Sequence, residues 1–372
     1  MEARRLASLK AEPIALSKVL VASESFPPVK YHTAGGSVET YKETYVLKRG
    51  NVALKEEIAA PGFLQVLSRV SERHWKWEPP AGATYAGRRH SLANWILDEK
   101  EGAGALAARV FVNRLWLHHF GQGLVPTPND FGKTGTAPKH PELLDYLATQ
   151  LFQKGGSLKA MHRLLMTSEA YQQAVLKEAE KEAKDPTNDL WKRHLPKRLE
   201  SEALRDSLLA VGGLLDLTAF GPGVADENSR RRSIYLRVKR SQLMNAMVSF
   251  DQPEPLVSQG SRPTTTVAPQ ALILMNSRLV RQCAEGLAER VLRETGNSLA
   301  PEVSVTRAYE VGLGRSPLVD ELKEACALLS DQIRPDERSD SPQAARRLEL
   351  LRKGLADFCQ VLLETNEFAY RP

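Results

Sequence analysis

The densest polar chemistry in the chain runs Asn113-Arg114-Leu115-Trp116-Leu117-His118-His119-Phe120-Gly121 and continues to Asn129-Asp130-Phe131-Gly132. Imidazole is the side chain whose charge changes near neutral pH. His118 and His119 are therefore candidate general bases or metal ligands, with Asp130 or His140 as partners. The spacing argues against a standard zinc site, because adjacent helical residues diverge by about 100° and the chain holds no HExxH. Asn113 and Arg114, one helical turn earlier, are candidate ligand contacts. The plainer alternative is that one histidine packs while the other sits at a helix C-terminus, where a cation is favoured.

A second cluster is Lys197-Arg198-Leu199-Glu200-Ser201-Glu202-Ala203-Leu204-Arg205-Asp206. Arg198 and Glu202 stand four apart and Arg205 three further on, so the spacing predicts one helix face carrying both charges. Such a face either lines a polar cleft or locks the helix to its neighbours as an ion-pair ladder. In a cleft, Glu202 and Asp206 are candidate catalytic carboxylates, and Arg198 and Arg205 candidate ligand contacts. A third cluster is basic: Arg230-Arg231-Arg232, then Arg237, Lys239 and Arg240 around Ser233–Val238. Ile234, Leu236 and Val238 alternate with the other positions, which predicts a strand with Arg237 and Lys239 on one face, placed to meet an oxyanion. Tyr235 is its only aromatic, which weighs against a nucleic-acid binder that stacks bases. Finally, Arg262-Pro263-Thr264-Thr265-Thr266 precedes an expected helix at about Val267–Glu294, where it would be an anion site or an ordinary N-cap. There is no GxSxG, no P-loop and no GxGxxG after a strand, and no motif implies a metal or cofactor.

The elements that must position these residues read as helices. Ser91 is placed to cap a short helix. A stronger one runs from about Leu106 to His119 and stops at Gly121 and Gly123. Pro141 opens another, Gly155-Gly156 breaks it, and Ser157 caps the next. Lys177–Lys184 reads as a solvated helical extension, and Leu195–Leu215 as a helix ending at Gly212-Gly213. Two strands stand out, Thr44–Arg49 and Ser233–Lys239, and they are free to pair with one another. Residues 1–60 read as the tail of a preceding domain, with Pro27-Pro28 and Gly35-Gly36 after two short helical stretches, and residues 61–372 as the helical domain. Within it, Leu164–Glu169 and Leu362–Glu367 echo each other, each followed by an aromatic, Tyr171 and Phe368. The echo suggests a duplicated helical unit, residues 104–173 and 301–370.

Of the 372 residues, 42% are hydrophobic and 26% charged, a globular balance rather than a disordered one. The net charge of +6 favours polyanionic partners slightly. No apolar run approaches the roughly 18–20 residues that span a bilayer, so no transmembrane segment is expected. Met1–Lys10 lacks the apolar core of an export signal. Cys283, Cys326 and Cys359 form neither CxxC nor CxxCH and read as buried small hydrophobes.

Several of these segments carry a resemblance. Asn113-Arg114 with His119-Phe120-Gly121, Phe131-Gly132, His140-Pro141-Glu142-Leu143-Leu144 and Arg198 through Asp206 resemble motifs of a domain family of unknown function typical of planctomycete and verrucomicrobial bacteria. So do Arg231–Arg240, Thr264–Asn276, Gly312–Pro317 and Leu362–Tyr370, and the likeness covers roughly residues 44–372. In that family the domain is the C-terminal part of large exported proteins that also carry cytochrome-c-like domains. The resemblance implies a periplasmic or envelope setting and a cytochrome-bearing partner, but no activity and no catalytic residues. The cytochrome segment and an export signal are absent from the sequence, as in a truncated or split gene product. The resulting expectation is a mainly α, multi-helix domain with a few short strands. It acts as an interaction or ligand-binding module. The competing expectation is a hydrolase or lyase on an anionic polymer such as a polysaccharide.

Overall fold

The computed structural model describes residues 43–82, 87–333 and 343–371. The readings of Met1–Lys10, Pro27-Pro28, Gly35-Gly36 and the two helical stretches around them lie outside these residues. The fold is mainly α, with short two-residue to four-residue strands. It divides into two compact units, one ending at Phe111 and the other beginning at Val112.

In the first unit, β1 (Tyr45–Leu47) pairs antiparallel with β2 (Lys55–Ile58), and Arg49 and Gly50 turn the chain with φ of 51° and 74°. The strand expected at Thr44–Arg49 is thus real but shorter, and its partner is local rather than Ser233–Lys239. The sequence hid β2 because Lys-Glu-Glu-Ile is exposed throughout and has no alternation to read. Trp75, Trp95 and Ala103 form the core with Phe63 and Leu67. Both indoles find partners, Trp75 Nε1 donating to Asp98 at 2.8 Å and Trp95 Nε1 to Ser68 Oγ at 3.0 Å, the usual arrangement for a buried indole N–H. Helix α1 (Arg88–Leu97) begins three residues before Ser91. Ser91 therefore is not its cap: its hydroxyl donates to the Gly87 carbonyl and accepts from the Trp77 N–H.

Helix α2 (Gly104–Phe120) ends where Gly121 adopts φ +83°, the left-handed stop that glycine allows. Next come α3 (Pro141–Gln153), with proline in its first turn, and α4 (Leu158–Met166), whose Ser157 cap accepts from the Ala160 N–H. After the short α5 (Ala179–Lys184), Lys197–Arg198 forms β3 and α6 covers Ser201–Val211. The helix expected from Leu195 thus starts six residues later. Helices α7 (Asn245–Ser249), α8 (Ala268–Asn276), α9 (Arg278–Glu294), α10 (Pro301–Leu313), α11 (Val319–Ile333), α12 (Gln343–Glu364) and α13 (Asn366–Ala369) follow, and β4 (Tyr370–Arg371) closes the chain. The single long helix expected at Val267–Glu294 is two, broken at Ser277, whose ψ of 124° is extended. Asn276-Ser277 is a helix-end pair without the glycine or proline that marks most breaks.

The core of the second unit is α9 packed on α12. Val280, Cys283, Ala284, Leu287, Ala288 and Val291 form one fully buried face of α9, against Leu351, Leu355, Cys359 and Leu363 of α12. Each such leucine contributes about 2–3 kcal/mol by leaving water. Helix α6 ends against α9 nearly backbone to backbone: a Cβ on Gly286 would stand 2.2 Å from the Gly212 carbonyl oxygen. Cys283 and Cys359 are buried, and burial pushes the Cys283 thiol up to about 11.

The strand expected at Ser233–Lys239 is absent. Ser233–Tyr235 is a 3-10 turn, and only isolated bridges, Val224 with Leu236 and Lys239 with Gln242, follow. Ile234 and Val238 are exposed, so their alternation marks no buried sheet face. The two echoing segments share a cap, shifted by one residue. Ser168 Oγ donates to the Leu165 carbonyl and accepts from the Tyr171 N–H. Thr365 Oγ1 donates to the Leu362 carbonyl and accepts from the Phe368 N–H.

Candidate functional site

The arginines of the second cluster split. Arg198 lies on β3, before the helix, so it does not share a helix face with Glu202. Its Nη1 donates to the Thr265 carbonyl at 2.6 Å and its Nη2 meets Asp251 Oδ2 at 2.5 Å. Asp251 in turn accepts from the Thr265 N–H at 2.9 Å and from its hydroxyl. Burial raises the Asp251 carboxyl, but these hydrogen bonds outweigh it and hold the group below its ordinary value. The threonine stretch read as an anion site is therefore already served by this internal carboxylate. Arg205, on α6, is buried and donates to the carbonyls of Glu227, Ser229 and Arg231 and to Ser233 Oγ. Its neighbour Asp206 accepts from the Ser233 N–H and hydroxyl, both at 2.7 Å. Together they clamp the loop that leads into the 3-10 turn. Glu202 turns to Arg262, 2.6 Å away, and not to Arg198 or Arg205.

In front of this network lies a cleft of about 500 Å³, lined among others by Arg114, His118, Lys197, Arg198, Glu200, Asp251, Arg262 and Tyr370. Local structure explains the gathering. β3 pairs antiparallel with β4, Lys197 opposite Arg371 and Arg198 opposite Tyr370. Arg371 then donates to the His118 carbonyl at 3.1 Å, tying the C-terminal turn of α2 to the small sheet. Four cationic residues line the cleft, Arg114, Lys197, Arg198 and Arg262, against two carboxylates, Glu200 and Asp251. Both carboxylates are engaged, Asp251 by Arg198 and Glu200 by Arg262 at 3.4 Å. Lys197 has no ion pair among the described residues. Burial and then the Arg371 charge pull the Lys197 ammonium below its ordinary value, and burial followed by the Lys197 charge does the same to His118.

The remaining expected residues lie elsewhere. Asn113 is buried and bonds both ways to Val125, its amide donating at 3.1 Å and its carbonyl accepting at 2.8 Å. Gly123 passes so close to that amide that a Cβ would stand 2.9 Å from it. Asp130 closes its own loop, accepting from the Gly132 N–H and the Thr134 hydroxyl, which lower its pKa. His119 hydrogen-bonds His162 at 2.8 Å and packs edge-on against Tyr171, and burial and then His162 pull it below its ordinary value. His140 meets the Asp189 carbonyl at 2.8 Å. Arg114 is the exception among them: it lines the first cleft from an exposed position and donates to Asn129 at 3.3 Å.

Arg237 and Lys239, with Glu202 and Asp206, line a second cleft of about 460 Å³. Sequence reasoning did not single out Lys197, Asp251 or His162. Lys197 is half of a Lys-Arg pair after Leu195-Pro196, a pattern that carries no signal of its own, and Asp251 finds Arg198 across 53 residues of chain.

The model of a family described as PSD1, Protein of unknown function (DUF1553), matches residues 88–329. Of the residues named here on the first cleft, all but Tyr370 fall inside that match. No curated protein and no solved structure matches the chain.

Proposed function

The chain belongs to the DUF1553 family of proteins of unknown function, and from that premise we propose that it is a binding module whose cleft around Lys197 takes an anionic ligand. The observation that carries this reading is the uncompensated charge of the cleft: its carboxylates are already held by Arg198 and Arg262, while Lys197 has no ion pair among the described residues. A desolvated ammonium gains more from an incoming anion than one in open water does. In this reading the module works in an envelope-associated, redox-linked multidomain setting of planctomycete type, beside a cytochrome-bearing partner. None of the helices described is long and apolar enough to cross a membrane.

The alternative, a hydrolase or lyase on an anionic polymer, needs His119, Asp130, Glu202 and Asp206 to meet around one reacting atom. His119 sits in a ring cluster, Asp130 in its own turn, and Glu202 and Asp206 on the second cleft. This dispersal puts the weight on binding.

Calorimetric titration of the full chain at low salt with a short sulfated or uronate oligosaccharide is the test. Saturable binding is expected, weakened by about tenfold or more in Lys197→Ala, because a hydrogen bond to a charged group contributes about 1.5–3 kcal/mol. Absence of saturable binding, or an unchanged affinity in Lys197→Ala, overturns the reading.

A further inference from the structure

The two clefts share two lining residues, Glu200 and Arg262. Arg262 stands between them with its Nη1 2.6 Å from Glu202 and 3.4 Å from Glu200, and its side chain keeps 33% of its surface in solvent. The boundary between the clefts is thus one half-exposed salt-bridge ridge. Free positive charge lies on both sides of it. On the first side are Lys197 and Arg114. On the second, Arg237 makes a single bond to the Gly223 carbonyl at 3.3 Å, and Lys239 has no ion pair among the described residues. The carboxylates of the second cleft are engaged, Glu200 and Glu202 by Arg262 and Asp206 by Ser233.

We propose that the two clefts are subsites of one groove that binds an anionic polysaccharide lengthwise across the Arg262 ridge, a proposal that rests on the anion-binding reading of the first cleft. One small anion satisfies one cationic site, so cations repeated on either side of a ridge call for a ligand whose negative groups also repeat. Apolar residues line the same clefts as the cations: Leu117, Phe250 and Val257 in the first, Ile234, Val238 and Met244 in the second. A lining of both kinds suits a chain of rings that presents carbon-hydrogen faces as well as sulfate or carboxylate groups. A single-stranded nucleic acid, whose bases need aromatic platforms along the whole strand, is served less well: Phe120, Phe250 and Tyr370 line the first cleft, but no aromatic residue lines the second. Arg262 exchanges one of its two internal carboxylates for the polymer's anion as the chain crosses the ridge.

The experiment uses the full chain and two graded series, heparin-derived and polygalacturonate-derived oligosaccharides, with poly-dT of comparable length as a third arm. Linking two subsite contacts in one molecule is expected to tighten binding by about a hundredfold from the shortest fragment to one long enough to reach both clefts. The double variant Arg237→Ala/Lys239→Ala, at two exposed positions, is expected to abolish that gain, with circular dichroism as the check on folding. The series that shows the gain tells sulfate from carboxylate. If the short fragment binds through Lys197 but affinity does not rise with length, or the double variant keeps the gain, the groove is overturned and the first cleft stands. If the short fragment does not bind, both readings fall. Equal or tighter binding of poly-dT overturns the polysaccharide assignment.

Discussion

Lys197 and Arg198 are neighbours on one two-residue strand and both line the first cleft, but they belong to two different kinds of region, one where charge is paired inside the chain and one where it is not. Arg198 with Asp251, and Arg205 with Asp206, form two clusters in which buried guanidinium groups are spent on backbone carbonyls and on a carboxylate of the chain itself. Lys197 belongs to the cleft surface, where the ammonium is half-buried and its charge is left over. The first region uses charge to order loops that have no sheet or helix of their own. The second holds charge in reserve. Residue type does not separate them; what separates them is whether a distant chain segment supplies a partner.

The largest expected difference between the regions is in stability. Arg205→Ala leaves the carbonyls of Glu227, Ser229 and Arg231 without their donor and Asp206 without its nearest cation, 3.6 Å away. Breaking such a buried charged cluster costs about 3–5 kcal/mol. Lys197→Ala removes no internal partner and is expected to stay within about 0.5 kcal/mol of the parent. Urea unfolding of the two variants side by side measures both. Similar losses in the two would erase the distinction.

The distinction also explains what the sequence could and could not disclose. The helices were legible where periodicity and punctuation agree: Pro141, Gly155-Gly156, Ser157 and Gly121 all sit where their conformational preferences put them. Segments held by arginine were misread. Ser233–Lys239 has a strand's alternation, yet Arg205 and Asp206 pin Ser233 into a turn, and no local pattern records a clamp made 28 residues away. Arg198 and Glu202 have helical spacing, but the helix starts at Ser201, so the spacing has no face to act on. The clusters near His119 and Arg198–Asp206 do border the first cleft: Arg114, His118 and Arg198 line it as candidates that residue type alone suggests, whereas Lys197 lines it without any such signal, and His119 and Asp130 do not line it.

Acid should move the two roles in opposite directions. His118 faces Lys197, Glu200, Arg262 and Arg114, and its pKa lies below the ordinary 6.5, so it is largely neutral at pH 7. Protonation adds a positive charge to the cleft, and anion affinity is expected to rise as pH falls from about 7 through that lowered value. His119 and His194 are also lowered, by burial first. The unfolded chain binds protons on these side chains more readily than the folded one. The stability they contribute is therefore fully present above the unfolded value and is lost as pH falls through 6.5 towards their folded values. Titration calorimetry and urea midpoints over the same pH series check the opposing slopes. Parallel slopes would mean that His118 does not meet the ligand.

A smaller change in stability than that of Arg205→Ala isolates arginine's ordering role from packing. Phe220 adopts φ +65° with 83% of its surface exposed, a conformation L residues disfavour. Arg231 holds it there by donating to the carbonyls of Thr218, Phe220 and Pro222, and the Phe220 N–H donates to the Tyr235 hydroxyl at 2.9 Å. The ring buries little, so the cost of the backbone is not recovered by packing at this residue. Phe220→Gly relieves the strain while keeping every one of these backbone bonds. After allowing for glycine's freer unfolded chain, a gain of about 0.5–1 kcal/mol is expected, read as a higher urea midpoint. A loss instead would show that the exposed ring, and not the Arg231 clamp, sets the loop.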